Sequence, residues 1–151
     1  MQNTEGERNH LSTGVFKLAK LFGGCGYYAK VTVEASPGKG LVSLSPDVFA
    51  WLKDVYGPEA WEWPVCDSYR EAAMAGATYA LAHMDFNKAR HDISVTQIHV
   101  SPVDTNWDSV AYAACHATWK AAGAEGTEQP HWEGRSIVFP GGLNRPAPPS
   151  S

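Results

Sequence analysis

The chain has 151 residues, 44% hydrophobic and 19% charged, with a net charge of −4. That length and balance fit one domain with its own core and exclude a disordered chain. The acidic balance argues against bulk nucleic-acid binding, which uses a broadly basic surface.

In chain order, residues 1–13 read as a flexible arm, 14–140 as a single domain, and 141–151 as a tail rich in proline, glycine and serine. Tyr28, Lys30, Thr32 and Glu34 alternate with Ala29, Val31, Val33 and Ala35, which predicts a strand with one buried and one wet face. Ser36-Pro37-Gly38-Lys39-Gly40 is a turn, and the alternation from Leu41 to Ser45 predicts a second strand folded back on the first as a hairpin. Phe49, Trp51, Leu52 and Val55 suit a short helix ended by Gly57-Pro58. A longer helix is predicted over Tyr69 to Phe86, capped by Asp67 or Ser68, with Tyr69, Ala72, Ala73, Gly76, Tyr79, Ala80 and His83 on its inner face. Asp92 to Val103 reads as a strand whose apolar phase changes after Val95, so a bulge is expected near Thr96 or Gln97. A last helix is predicted from Trp107 to Ala122, stopped by Gly123, with Arg135 to Phe139 as a final strand. The predicted class is α+β: a two-layer sandwich with two helices on one face of a mainly antiparallel sheet.

The loop Gly23-Gly24-Cys25-Gly26-Tyr27-Tyr28, with the strand and the "EASPGKG" turn after it, resembles the start of domain IV of the elongation factor G and elongation factor 2 family. There the loop is Gly-Gly-Arg-Gly-Gln-Tyr. Downstream, Val103-Asp104-Thr105, Ser109-Val110 and Ala113-Ala114-Cys115 with Ala117 resemble the family's Val-Asp-Ser segment and the small-residue helix it opens. "YREAAMAG" is similar to its first helix, and Asp92-Ile93-Ser94-Val95 to its second core strand, so the resemblance spans about residues 22 to 123. It implies a sandwich with a left-handed βαβ crossover. It also implies a protruding domain without chemistry of its own, whose tip loops touch transfer and messenger RNA on the ribosome. Here the family's tip arginine is Cys25 and its glutamine Tyr27, and His99-Val100-Ser101-Pro102 replaces a longer second tip loop. No Gly-x-x-x-x-Gly-Lys-Ser/Thr loop occurs, so no nucleotide is expected.

The expected function is therefore a non-enzymatic binding module associated with the ribosome or a structured RNA. Its tip-loop candidates are Gly23, Gly24, Cys25, Gly26, Tyr27, Lys30, Lys39, Asp104 and Thr105. Lys17, Lys20, Lys30 and Lys39 make residues 15 to 40 the one basic region of the chain. Asp104, Thr105 or Asn106 also suits the cap of the helix that follows. The alternative is a protein-interaction or homodimer module using Trp61 and Trp63, which favour a core or interface role over base stacking. A third is a cysteine-dependent enzyme with Cys25 as nucleophile, though no partner histidine is assignable. The six histidines show no metal spacing, and Tyr112, His116 and Trp119 form a packing stripe. No cofactor, metal or membrane contact is expected. The odd cysteine count and the polar N-terminus point to the cytoplasm.

Overall fold

The computed structural model describes residues 11–143 except 23, 58–63, 85–89 and 102, and except the side chains of Phe22, Cys25 and Lys53. Four strands, β1 (Ser12–Phe22), β2 (Cys25–Pro37), β3 (Val42–Leu44) and β4 (His91–His99), form a sheet in the order β1-β2-β4-β3. β1 and β4 run antiparallel to β2, and β3 runs parallel to β4. The helices are α1 (Ala50–Tyr56), α2 (Pro64–Ala82) and α3 (Trp107–Ala122). A separate hairpin, β5 (His131–Glu133) with β6 (Ser136–Val138), follows α3. The chain is thus an α+β sandwich. None of its described helices is long and apolar enough to cross a membrane.

Strand alternation sets the two faces of the sheet. Ala29, Val31, Val33 and Ala35 of β2, with Ile93, Val95 and Ile98 of β4, are buried and share one core with α2 and α3. The phase change in β4 is a bulge. Thr32 pairs with Gln97 and Val33 with Val95, so Thr96 is the extra residue. The Thr96 hydroxyl donates to the Thr32 carbonyl at 3.2 Å. That one residue lets Val95 and Ile98 both face the helices.

α3 has the predicted limits. Asn106 caps it, accepting from the Ser109 amide at 2.8 Å, and Gly123 ends it at φ 66°. α2 starts earlier than expected, at Pro64, because proline suits a first helical turn whose amides have no partner. The predicted inner face is buried except for His83, which is half-buried. The Tyr112, His116 and Trp119 stripe is a packing face. His116 stacks on Phe16 at 4.8 Å and meets Trp119 edge-on at 5.3 Å. Burial, then the nearby Lys120 charge, lowers the His116 pKa.

Two expectations about the first strands are corrected. The hairpin partner of β2 is β1, a strand that no clean alternation marks in the sequence, and not Leu41 to Ser45. The turn residues 36–40 instead carry the chain across the start of β4 to its far edge, where β3 pairs parallel. Asp92 holds this crossing. Its Oδ1 accepts from the amides of Lys39 (2.8 Å), Gly40 (3.1 Å) and Leu41 (3.0 Å). The Leu41 amide foremost, then the Lys39 amide, hold the Asp92 carboxyl below its usual range. A carboxyl lowered by folding stabilises the fold above its unfolded pKa, and that contribution is lost as pH falls through the folded value. Asp92→Ala should therefore lower the urea midpoint at neutral pH, and by less at acid pH, as the wild-type carboxyl itself takes up a proton. An equal loss at both pH values would exclude the carboxylate as the holding group.

Candidate nucleic-acid interface

Two regions emerge at and beside one end of the sheet. At the tip, Gly24 turns β1 into β2 at φ 83° and is exposed. The segment 101–106 lies against this turn. The Tyr28 amide donates to the Asp104 carbonyl at 2.9 Å. The Thr105 hydroxyl donates to the Tyr28 carbonyl at 2.6 Å and accepts from the Ser101 amide at 2.8 Å. A Cβ on Gly26 would sit 2.7 Å from an Asp104 carboxylate oxygen, so the glycine lets the second loop close on the first. Val103, at 92% exposed, caps the end. The cap role falls to Asn106, while Asp104 and Thr105 tie the two loops together. Beside them Tyr27 meets Trp132 of β5 edge-on at 5.2 Å, and the Lys20 ammonium lies 5.0 Å over the same indole.

The structure therefore brings Gly24, Gly26, Tyr27, Asp104 and Thr105 together at one end. Lys39 is not with them. It follows the opposite end of β2, and at about 3.3 Å per residue the intervening strand separates it from the tip by roughly 30–35 Å. Gly23, Trp61 and Trp63 lie outside the described residues, as does the side chain of Cys25. The other two thiols, Cys66 and Cys115, are buried, and burial pushes both pKa values up, so neither suits a nucleophile. Among the described residues no three His, Cys, Asp or Glu side chains cluster as metal ligands would.

The second region is the face of the sheet away from the helices. α1 borders it on the β4 side, where Trp51 meets His99. Lys30 sits at its centre. Its register partners are Lys17 on β1 and His99 on β4, so two lysines and a histidine form one row across three strands. Among the described residues neither lysine has an ion pair. Burial first, then the Lys30 charge, lowers the His99 pKa. Trp51 of α1 packs on the His99 ring at 4.6 Å and ties its indole N–H to the Ile98 carbonyl at 2.7 Å. Like charges directly opposite on neighbouring strands destabilise a sheet. Glu34 lies two rungs away on one side and the Asp104 carboxylate on the other, which confines the positive band to this row.

Lys17, Tyr28 and His99 were not singled out as site residues from sequence. Alternation did place Tyr28 beside Lys30. What was missing was β1, and with it the register that sets Lys17 opposite Lys30.

No protein-family model matches this chain, and no curated protein matches it. A solved structure does: the protein ttk003000868 from Thermus thermophilus aligns with a TM-score of 0.54 at 19% identity. The match covers 75% of this chain and 16% of that chain. At this identity the likeness is one of fold, and this chain's sandwich therefore corresponds to one part of a much longer protein.

Proposed function

We propose that this chain is a non-enzymatic RNA-binding module, resembling domain IV of the elongation factor G family in its order of motifs, with ribosomal or other structured RNA as its partner. The observation that carries this reading is the pair of opposed lysines, Lys17 and Lys30, flanked by His99 and without a counter-ion for either lysine among the described residues. A phosphate over the row would relieve the repulsion between its members, which gives the juxtaposition a purpose. The acidic net charge is no obstacle to a local band that Glu34 and Asp104 bound rather than neutralise. Cys25, standing where the family has its tip arginine, fits a contact that lies on the sheet and not at the tip.

Co-sedimentation with ribosomes and with purified ribosomal RNA tests this. With two phosphates neutralised, affinity should fall roughly tenfold between about 50 and 200 mM salt. Absence of binding at the lower salt would reject the reading. A second reading, self-association, is favoured by β1 as an edge strand with Val15 (39%) and Leu21 (77%) exposed. It predicts a dimer that persists at high salt, which sedimentation velocity would detect.

A further inference from the structure

The residue beside the basic row gives the proposed RNA site a substrate class. Tyr28 shares with Lys30 the face of the sheet away from the core, two positions along β2. Its main chain is fixed on both sides, the amide by the Asp104 carbonyl and the carbonyl by the Thr105 hydroxyl. Its side chain is only partly buried, and among the described residues its ring packs on no other aromatic ring and its hydroxyl has no hydrogen bond. The residue opposite on β1 is Ala19, which leaves the ring face uncrowded from that side. Tyr27, by contrast, turns to the helix side and is engaged by Trp132. An aromatic ring on a fixed main chain, next to lysines without an ion pair among the described residues, is an arrangement that can hold an unpaired base with its flanking phosphates.

We infer that the sheet face away from the helices selects single-stranded RNA, with one unpaired base stacked on Tyr28 and the adjoining phosphates on Lys17 and Lys30, beside His99. This rests on the RNA-binding reading above and narrows it. A duplex keeps its bases inside the helix and offers this nearly flat surface only phosphates, so it engages the lysines but not the ring. The row crosses three strands, about 10 Å at the usual strand spacing, which limits the footprint to a few nucleotides. The backbone path runs across the strands, because acidic groups close the row above and below.

The test uses the full chain with a fluorescent single-stranded RNA of about 12 nucleotides and the same strand annealed to its complement. Anisotropy should show the single strand bound roughly tenfold tighter than the duplex. Tyr28→Ala should remove that preference and leave duplex affinity unchanged, while Tyr28→Phe keeps it, since stacking needs the ring and not the hydroxyl. Should Tyr28→Ala lose its circular dichroism signature, Tyr28→Thr, a good strand former, takes its place. Equal affinity of the wild type for both RNAs, or a Tyr28→Ala protein that still prefers the single strand, overturns the inference while RNA binding stands. Failure to bind either RNA overturns the inference and the RNA-binding reading together.

Discussion

Gly76→Leu should leave the chain unable to fold, and Gly76→Ala should lower its melting temperature by roughly 5 °C. A Cβ at Gly76 would lie 2.1 Å from the carbonyl oxygen of Ala111, and that oxygen belongs to the backbone of α3. A backbone atom has no rotamer to escape into, so α2 and α3 would have to separate. α3 has no room to retreat toward the sheet, because at Gly14 of β1 a Cβ would sit 2.3 Å from the Ala117 carbonyl. Small residues are buried on both helices: Ala72, Ala73 and Ala77 on α2, Ala111 and Ala114 on α3. Two magnitudes oppose each other in Gly76→Ala. Helix propensity favours alanine by about 1 kcal/mol. Overpacking a tight core costs about 1–3 kcal/mol, and more when the obstacle is backbone. Overpacking should win, and calorimetry checks it. A stabilised Gly76→Ala protein would mean that the helices stand further apart than described.

Lys17→Glu/Lys30→Glu should weaken single-stranded RNA binding on the order of 100-fold at low salt and flatten its salt dependence. The two lysines are register partners, so reversing both turns the centre of the row from a cationic pair into an anionic one. Each phosphate contact on a single strand contributes about 0.7 to the slope of log affinity against log salt, so losing two should reduce the slope by about 1.4. Lys39→Glu is the matched control. Its charge changes in the same sense, but it lies at the far end of β2, where its amide binds Asp92. It should retain wild-type affinity to within a factor of about two. Both lysines are on the sheet's solvent side, so folding should survive, and relief of the Lys17–Lys30 repulsion should leave stability level or slightly higher. A loss in the Lys39 variant about half that of the double variant on a logarithmic scale would mean that only net charge matters.

What the sequence revealed depended on whether the signal was local. α3 was legible because its cap and stop, Asn106 and Gly123, adjoin it. The bulge was legible because Val95 and Ile98 break the alternation within four residues. β1 was not, because each of its faces mixes apolar residues with a lysine: Val15, Lys17 and Leu21 on one, Phe16, Leu18 and Lys20 on the other. No clean period of two survives in that pattern. The placement of β3 hangs on Asp92, some fifty residues away from the turn it organises, and a turn signal does not say which strand the chain will meet next. The same limit hid the site. Tyr28 and Lys30 were visible as neighbours on one strand, but Lys17 and His99 join them only through pairings to β1 and β4.

The most direct measurement is a map of backbone amide shifts in the isotope-labelled chain as a short single-stranded RNA is added. Binding on the sheet face away from the helices predicts the largest changes at Lys17, Ala19, Tyr28, Lys30 and His99, with small ones at Lys39 and along α2. Changes confined to Gly24, Val103 and Trp132 would place the contact at the tip and contradict the account, and a spectrum unmoved by saturating RNA would remove its foundation.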